Sequence, residues 1–501
     1  MKRSLRLQVT AIGSWMLLSV LTGCMGRDSA RPAQASDSGL ARPNVLFIAV
    51  DDLRPRLGCY GDALAITPHI DRLARRGVLF NRAYCQQAVC NPSRASVLTG
   101  RRPDATKVWN LSTHFREALP DVVTLPQYFK ENGYQARCVG KIYHDPAAAQ
   151  DSISWSAPET LAVTGKAGPK YVLNSNLNRK GSWKAAATER ADVPDSAYVD
   201  GRVGNAALRV LREISDRPFF LAVGLRRPHL PFSAPERYWA MYDGMEMPLP
   251  SNPDAPEDVP VLAMHPSNEL RGYSDVPDEG PLDEATVRRL IQGYYASTTY
   301  IDAQIGRLLD ELDTLGLSSN TIVVLWSDHG FHLGEHGLWT KTTNFELDTR
   351  VPLIISAPGA YQSGVQTNAL AELVDLYPTL ADLAGLGIPE GLEGISLKPV
   401  LENPERAWKK AAFSQFPRPW FYRNQPEVMG YSVRTDRYRY TEWQDFKTGE
   451  VQASELYDHR EDPMEMKNVA AQAENASVVE RLGAMLAEGW EGALPEQAVK
   501  K

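Results

Sequence analysis

The chain contains 501 residues, of which 43% are hydrophobic and 23% are charged, and its formal net charge is −7 at pH 7. This length is sufficient for one large hydrophobic core together with a smaller subdomain. The mildly acidic balance argues against a nucleic-acid-binding protein, because such proteins carry an excess of basic side chains. The five cysteines are too few for a disulfide-stabilised fold of this size.

The first 43 residues have the pattern of an export segment. Three basic residues within the first six positions precede an apolar run at residues 9–21, which is too short for a membrane-spanning helix. The run ends in Leu-Thr-Gly-Cys, which resembles a bacterial lipobox and implies a signal peptide over residues 1–24 with lipidation of Cys24. Residues 25–43 are polar and predict a flexible tether. We therefore expect an exported cell-envelope lipoprotein, periplasmic or on the outer-membrane surface, which contacts the membrane only through its lipid anchor; an ordinary signal peptide is the alternative.

Apolar runs of strand length alternate with helical patterns through the rest of the chain. The runs lie at residues 44–52, 133–144, 218–229 and 320–330, and the helical patterns lie at residues 125–132 and 283–315. Runs that are apolar on both faces are typical of buried parallel strands. The alternation predicts an α/β fold with helices on both faces of the sheet. In such folds ligands bind beyond the carboxyl ends of the strands.

Ionisable side chains follow these predicted strands at their carboxyl ends. Asp51 and Asp52 follow the first run, and Asp328 and His329 follow the last one. Several carboxylates at one edge would repel one another unless a cation lay between them. Hard oxygen donors suit Ca²⁺ or Mg²⁺ better than zinc. We interpret these residues as metal ligands, with a helix-capping role as the alternative for any single aspartate.

Basic residues and histidines are expected at the same edge of the sheet. They are Arg94, Lys141, His144, His229 and Lys341. Taken singly, each is better explained as a solvated surface charge. Together with a metal ion, they predict a pocket for a tetrahedral oxyanion ester, either a phosphate or a sulfate.

A cysteine stands at the predicted start of a helix in Gln-Gln-Ala-Val-Cys-Asn-Pro-Ser-Arg, residues 86–94. Pro92 favours the first helical turn, which places Cys90 at the positive end of the helix dipole. A thiolate nucleophile is the first interpretation. A thiolate is a soft ligand, however, and a hard cation would neither bind nor activate it well. The residues alone leave this conflict open.

The stretch Cys90 to Gly100, CNPSRASVLTG, resembles the sulfatase signature Cys-x-Pro-Ser-Arg-x-x-x-Leu-Thr-Gly, with every fixed position filled. Further similar stretches, including DDLRPRLGCYGD, VGKIYH and SDHGFHLGEHGLWTK, extend the resemblance over residues 44–468 and place it closest to the iduronate-2-sulfatase branch. The resemblance implies an α/β, alkaline-phosphatase-like fold with a large mixed, mostly parallel sheet flanked by helices. It also implies a catalytic domain over residues 44–410 and a smaller C-terminal subdomain, residues 411–501, with a short antiparallel sheet.

The same resemblance resolves the conflict at Cys90. In that family a dedicated maturation enzyme oxidises the cysteine to Cα-formylglycine, whose hydrated aldehyde offers hard oxygen atoms. The implied cofactor is Ca²⁺, with Mg²⁺ less favoured. The implied ligands are Asp51, Asp52, Asp328, His329 and the converted Cys90. The remaining cysteines, Cys59, Cys85 and Cys138, then allow at most one disulfide.

The resemblance also assigns roles to the basic residues and histidines. Arg94 and Lys141 would hold the nucleophile, one hydroxyl of the hydrated formylglycine, which attacks sulfur. His229 and Lys341 would face the leaving sugar oxygen, and one of them would supply its proton. His144 would act as the base that releases sulfate from the covalent intermediate, a step that requires the second hydroxyl.

Fewer residues indicate the substrate than indicate the metal site and the nucleophile. Arg54 matches a basic position near the uronate carboxylate and, with Lys141, His229 and Lys341, would bind substrate; a structural arginine is the alternative. Residues 155–194 fit no helix or strand pattern and are expected at the pocket entrance. We expect a uronic-acid 2-sulfate on a sulfated glycan. A phosphoester or phosphonate hydrolase and an unconverted glycan-binding lipoprotein are the alternative functions.

Overall fold

The computed structural model describes residues 42–145, 149–163, 168–178, 184–359, 361–422 and 425–495. The predicted signal peptide, Cys24 and nearly all of the predicted tether lie outside these ranges, so lipidation stays a prediction. Within the described ranges, no helix combines the length and the apolar character needed to cross a bilayer.

The described strands and helices alternate along the first two-thirds of the chain. The strands are β1 (Asn44–Val50), β2 (Val78–Tyr84), β3 (Gln135–Gly140), β4 (Thr188–Ala191), β5 (Phe219–Leu225), β6 (Phe232–Pro235), β7 (Thr321–Ser327), β8 (His332–Leu333), β9 (Trp339–Thr340), β10 (Arg350–Ser356), β11 (Val365–Thr367), β12 (Ala371–Glu372), β13 (Ala411–Arg418), β14 (Val428–Thr435), β15 (Tyr438–Asp445) and β16 (Val451–Asp458). The helices are α1 (Pro68–Arg76), α2 (Cys90–Thr99), α3 (Pro103–Thr106), α4 (Leu125–Glu131), α5 (Asn174–Leu177), α6 (Val199–Ile214), α7 (Glu236–Ala240), α8 (Asn268–Arg271), α9 (Glu284–Thr314), α10 (Glu346–Thr349), α11 (Leu376–Leu383), α12 (Lys398–Glu402) and α13 (Ala476–Gly492).

The four apolar runs form the centre and one edge of an eight-stranded sheet. Its order is β11-β2-β10-β7-β1-β5-β3, and β12 also pairs with β2. Strands β7, β1, β5 and β3 are mutually parallel, whereas β10 runs antiparallel to both of its neighbours. The predicted mixed, mostly parallel sheet is confirmed. The parallel arrangement brings the carboxyl ends of β1, β3, β5 and β7 to one edge.

Both faces of this sheet are buried, as the unbroken apolar runs predict. On one face, Phe47, Phe220 and Trp326 pack together and against Phe129 of α4. On the other face, side chains such as Ile48 of β1 pack in a cluster with apolar residues of α6 and α9. Removing each such side chain from water stabilises the fold by roughly 1.5–3 kcal/mol.

The C-terminal part of the chain forms a separate four-stranded antiparallel sheet in the order β13-β14-β15-β16. Its first strand begins at Ala411, and α13 packs against β13, β14 and β15. Arg439 of β15 is buried and binds Glu346 of α10 at 2.6 Å and Glu465 at 2.8 Å. The ion pair with Glu346 connects the antiparallel sheet to α10, which lies close to the edge of the large sheet where the polar side chains follow the strands.

Residues 155–194 correct one expectation. The sequence predicted no regular element there, but the described part contains α5 and β4, and β4 pairs in parallel with β6. Glu189 of β4 is buried and accepts hydrogen bonds from the backbone N–H groups of Val172 and Leu173. The pairing partner of β4 lies far along the chain, so the local pattern did not reveal this strand.

Two glycines allow β3 and β5 to approach closely where they end. Gly140 has a φ of +83°, and a Cβ atom there would lie 2.1 Å from the carbonyl oxygen of Gly224. A Cβ atom at Gly224 would lie 1.9 Å from the carbonyl oxygen of Lys141. No side chain fits either space, and the close approach determines where Lys141 leaves the sheet.

Replacing Gly224 by alanine should therefore displace Lys141 and weaken the sheet. We expect a loss of unfolding free energy of about 3 kcal/mol, because the added methyl group meets backbone atoms that have no room to move. A thermal melt should show a lower Tm. Gly483→Ala, in α13, is the control, since its Cβ atom would meet only side chains, the flexible end of Glu442 at 3.0 Å and the Tyr440 ring at 4.0 Å. Equal Tm values for Gly224→Ala and the unsubstituted protein would contradict this account.

Candidate active site

Helix α2 places the cysteine beside the end of β7. It begins at Cys90, as predicted, and all of its residues are buried. Ser93 donates a hydrogen bond of 2.5 Å to the carbonyl oxygen of Asp328. The Cys90 Sγ lies 3.4 Å from the Nε2 atom of His329. The first turn of the helix and the end of β7 are thus joined at the position of the predicted nucleophile.

The predicted carboxylate ligands follow adjacent strands. Asp51 and Asp52 follow β1, and Asp328 and His329 follow its neighbour β7. Asp52 has a left-handed backbone conformation with a φ of 63°, which residues other than glycine rarely adopt. Ser327 links the two strand ends by donating to the carbonyl oxygen of Val50 at 2.9 Å.

Four of the five predicted metal ligands form one buried cluster. Asp51, Asp52, Cys90 and His329 each contribute one ligand atom, and these atoms all lie within 4.8 Å of one another. The fifth, Asp328, lies beside them with its Oδ1 atom 3.7 Å from the Nε2 atom of His329. The His329 Nδ1 atom lies 2.9 Å from the carbonyl oxygen of Gly330, which can only accept, so Nδ1 carries a proton and Nε2 is the ring nitrogen that faces the cluster.

The charge state of Asp52 indicates that the cluster fits a cation. Burial raises the pKa of Asp52 to about 7, although Lys341 and His329 act in the opposite direction. The positive charge of the neighbouring side chains is therefore too small to keep the Asp52 carboxylate fully ionised at neutral pH. Carboxylate oxygens and a histidine nitrogen around one buried space match a divalent cation.

Arg94 and Lys141 balance the charge of the other two aspartates. The Arg94 guanidinium is fully buried and donates to Asp328 Oδ2 at 2.8 Å and to Asp51 Oδ1 at 2.9 Å. Lys141 Nζ lies 2.6 Å from Asp51 Oδ2. Although burial opposes ionisation, Lys141 and Arg94 hold the pKa of Asp51 well below its usual value. Asp51 is therefore an anion at neutral pH.

A cavity of about 650 Å³ opens onto this cluster. Its lining includes Cys90, His144, Lys184, His229, Glu269, Lys341 and Arg418. Burial and the nearby Lys141 ammonium lower the pKa of His144 well below its usual value, so this imidazole is neutral. A neutral imidazole in the lining of this cavity has the protonation state that a general base requires.

Lys341 and His229 lie on the same side of the cavity and share a carboxylate. Lys341 Nζ lies 2.8 Å from Asp52 Oδ2 and 2.9 Å from Glu269 Oε2, and His229 Nε2 lies 3.2 Å from Glu269 Oε1. Sequence reasoning missed Glu269, which belongs to the four-residue helix α8 in a long connection between α7 and α9. No local motif marks it, and only its three-dimensional neighbours reveal it.

Arg54 does not line the cavity among the described residues. Its Nη1 atom donates to Glu335 Oε1 at 2.9 Å and to the carbonyl oxygen of Phe331 at 3.0 Å, and the side chain is mostly buried. Its predicted contact with a uronate carboxylate stays a prediction. The cations that the structure adds to the cavity wall are Lys184 and Arg418, which the sequence analysis did not single out.

Comparison with known proteins identifies the family. The family model named Sulfatase matches residues 43–386, and the model described as N-sulphoglucosamine sulphohydrolase, C-terminal, matches residues 334–491. The chain belongs to the sulfatase family. This sulfatase is 36% identical to iduronate 2-sulfatase of Mus musculus over 93% of its own length and 97% of the relative. The predicted enzyme class and the predicted similarity to iduronate 2-sulfatase are confirmed.

Solved structures share the fold. A structure described as a 2-O GAG sulfatase has a TM-score of 0.70 and 25% identity, covering 92% of this sulfatase and 94% of that chain. The phosphonate monoester hydrolase of Agrobacterium radiobacter has a TM-score of 0.74 and 25% identity, covering 89% and 95%. The alkaline-phosphatase-like fold with its C-terminal antiparallel sheet is confirmed.

The raised pKa of Asp52 predicts how metal-free stability depends on pH. The folded-state pKa of about 7 exceeds the unfolded value of about 4, so the folded state binds the additional proton. This contribution to stability is present at low pH and is lost as pH rises through 7. We expect Asp52→Asn to lessen the decrease in Tm between pH 5 and pH 8 in chelator-treated protein, and added Ca²⁺ to do the same.

Asp302 provides a matched control for this measurement. Burial also raises its pKa to about 7, but it binds backbone N–H groups of α1 rather than the cluster. Asp302→Asn should change the pH dependence equally with and without Ca²⁺. If Ca²⁺ left the pH dependence of the unsubstituted protein unchanged, the cluster would not be a cation site.

Proposed function

We propose that this sulfatase removes the 2-O-sulfate from a uronic acid of a sulfated glycan, using Ca²⁺ and a formylglycine made from Cys90. Sulfate-ester hydrolysis follows from membership of the family, and the identity to iduronate 2-sulfatase supports the sugar and the position. The observation that carries the proposal is a buried cysteine whose Sγ atom lies within a cluster of carboxylates and a histidine.

The environment of Cys90 supports its conversion. Burial and the neighbouring Asp51 carboxylate raise the pKa of the Cys90 thiol well above its usual value, so the unmodified side chain is not a thiolate. A neutral thiol is a weak nucleophile and a poor ligand for a hard cation. The hydrated aldehyde of formylglycine would supply a hard oxygen nucleophile and a second hydroxyl through which sulfate is released.

Asp51, Asp52, Asp328, His329 and the converted Cys90 would hold the cation. Ca²⁺ suits this buried mixture of ligands better than Mg²⁺, which requires near-octahedral geometry and usually retains several waters. When bound, Ca²⁺ would neutralise the charge on the sulfate oxygens.

Five side chains of the cavity and the carboxylate cluster would have the other roles in the reaction. Arg94, held by two aspartates, keeps the carboxylates apart and in place, and Lys141 stands next to the nucleophile position. Lys341 and His229 face the side of the cavity where the leaving oxygen would lie. His144 would take the proton that accompanies sulfate release, since its imidazole is neutral.

The charge of the cavity wall supports an anionic sugar. The Arg418 guanidinium donates to the carbonyl oxygens of Leu262, Ala263, Thr342 and Pro417, and no described carboxylate forms an ion pair that would neutralise its charge. Burial lowers the pKa of Arg418 to about 10, which leaves it positive at neutral pH. Together with Lys184, it suits the uronate carboxylate.

The cell-envelope location belongs to the same proposal. A lipid anchor at Cys24 would hold the enzyme where glycans from outside the cell are degraded, and conversion of Cys90 would require a maturation enzyme in the host. The support for the anchor is the sequence pattern of residues 1–24 alone.

A phosphonate or phosphate ester hydrolase is the second candidate. It is favoured by the likeness to the phosphonate monoester hydrolase, because the same cation and basic residues accept either tetrahedral group. An unconverted glycan-binding lipoprotein would keep the cavity but retain the thiol at Cys90.

Mass spectrometry of the peptide that contains Cys90 tests the nucleophile. In protein produced together with a formylglycine-generating enzyme, we expect an aldehyde in place of the thiol, and activity should rise in proportion to the converted fraction. Cys90→Ala should lower kcat by at least about 10⁴-fold, because the covalent route is lost. Full activity of protein that carries an unmodified Cys90 would contradict the proposal.

A panel of defined saccharides tests the substrate. We expect the highest kcat/KM for a terminal uronic acid with a 2-sulfate, and a decrease of about tenfold or more for its methyl ester, because the carboxylate charge is lost. The matched phosphate ester distinguishes the second candidate. Preference for the phosphate ester, or inactivity on every 2-sulfated uronide, would overturn the assignment.

A further inference from the structure

Glu269 contacts both side chains on the leaving-group side of the cavity, and none of the roles assigned above involves it. Its Oε2 atom lies 2.9 Å from Lys341 Nζ, and its Oε1 atom lies 3.2 Å from His229 Nε2. The side chain is 26% exposed and lines the cavity. A carboxylate in this place repels an anionic substrate, so its presence requires a reason other than binding the sulfate group.

Contacts from distant parts of the chain hold Glu269 in position. Lys184 Nζ donates to the Glu269 carbonyl oxygen at 2.7 Å and lies 4.4 Å from the ring centroid of Tyr273. Ser267, with a φ of 54°, accepts a hydrogen bond at its Oγ from the backbone N–H of Trp339. The segment that carries Glu269 is therefore tied to the strand that precedes Lys341.

Hydrogen-bond chemistry places a proton between His229 and Glu269. The His229 Nδ1 atom lies 2.7 Å from the carbonyl oxygen of Leu230, which can only accept, so Nδ1 is protonated. The Nε2 atom faces a carboxylate oxygen at 3.2 Å. Neither an unprotonated ring nitrogen nor a carboxylate can donate a hydrogen bond, so one proton must lie between these two atoms.

The two contacts of the ring place this proton on the imidazole, because Glu269 is a carboxylate. Although burial opposes ionisation, Lys341 and His229 lower the pKa of Glu269, so Glu269 is a carboxylate. Burial and Lys341 lower the pKa of His229 well below its usual value, and Glu269 acts in the opposite direction. Both ring nitrogens of His229 nevertheless face groups that can only accept, which a neutral ring with one N–H cannot satisfy. The carboxylate is thus the neighbour that favours a proton on His229 against the effects of burial and of Lys341.

We propose that Glu269 is a positioning residue that holds the Nε2 proton of His229, together with Lys341, next to the oxygen of the leaving sugar. This inference rests on the proposed sulfate-ester hydrolysis. As the oxygen of the nucleophile at position 90 bonds to sulfur, the S–O bond to the sugar breaks. Its electron pair stays on the sugar oxygen, which takes the Nε2 proton. His229 is left as the neutral Nδ1–H tautomer, and Glu269 keeps its negative charge throughout.

Glu269→Gln separates this role from a structural one. The glutamine oxygen still accepts from Lys341, and its amide nitrogen donates to His229 Nε2, so the contacts are retained while the proton on Nε2 is removed. Asp275→Asn is the matched control. Asp275 is 25% exposed and pairs with Arg289, and its carboxylate does not line the cavity.

Kinetics of the mature enzyme give the first readout. With a 2-sulfated uronide, whose leaving group is an alcohol, we expect Glu269→Gln to lower kcat by about 10²–10³-fold with little change in KM. With 4-nitrophenyl sulfate, whose phenolate leaves without a proton, we expect a decrease of less than about threefold. Asp275→Asn should match the unsubstituted enzyme on both. An unchanged kcat on the uronide, or equal losses on both substrates, would overturn the inference.

Nitrogen NMR of histidine-labelled, Ca²⁺-loaded protein gives the second readout, which is independent of turnover. His229→Asn identifies the His229 signals among the nine histidines. We expect a protonated Nε2 in the unsubstituted protein and in Asp275→Asn, and an unprotonated Nε2 in Glu269→Gln. An unprotonated Nε2 in the unsubstituted protein would overturn the inference even if sulfate esters are hydrolysed. A protonated Nε2 in protein inactive on all sulfate esters would instead contradict the proposed function.

Discussion

The repulsion among buried carboxylates is the constraint on which the site depends. Asp51, Asp52 and Asp328 meet where two parallel strands end, and water is excluded from all three. Arg94 resolves part of this repulsion by binding two of them, and Lys141 and Lys341 resolve more. The charge on Asp52 is compensated only in part, since its pKa stays raised to about 7, and this is the physical reason why the position suits a divalent cation.

The negative charge of the same carboxylates also acts on Cys90. A thiol surrounded by carboxylates and removed from water keeps its proton, so position 90 cannot supply a reactive anion from an unmodified side chain. An oxygen nucleophile avoids this problem, because a hard oxygen binds the cation that the carboxylates need. The environment that suppresses the thiol is thus the one that suits the proposed formylglycine.

The two sheets contribute differently to the cavity. The large sheet supplies the carboxylates and the nucleophile helix at its carboxyl edge, and the C-terminal sheet supplies Arg418 at the end of β13. The long connection before α9 adds Glu269, which links Lys341 to His229. The side chains proposed to act on the sulfate ester and those proposed to bind the substrate carboxylate therefore come from segments that are far apart in sequence but line one cavity.

The sequence alone determined the features that have a local origin. Unbroken apolar runs identified β1, β5 and β7, and a weaker run that ends at Lys141 and His144 identified β3. The helix at Cys90 followed from its motif. Burial on both faces and a helix start both leave signatures within a few residues. Tertiary structure alone decided what depends on distant partners: β4 pairing with β6, Arg54 binding Glu335, and Glu269 reaching His229. Such contacts are set by packing between segments, and no spacing along the chain encodes them.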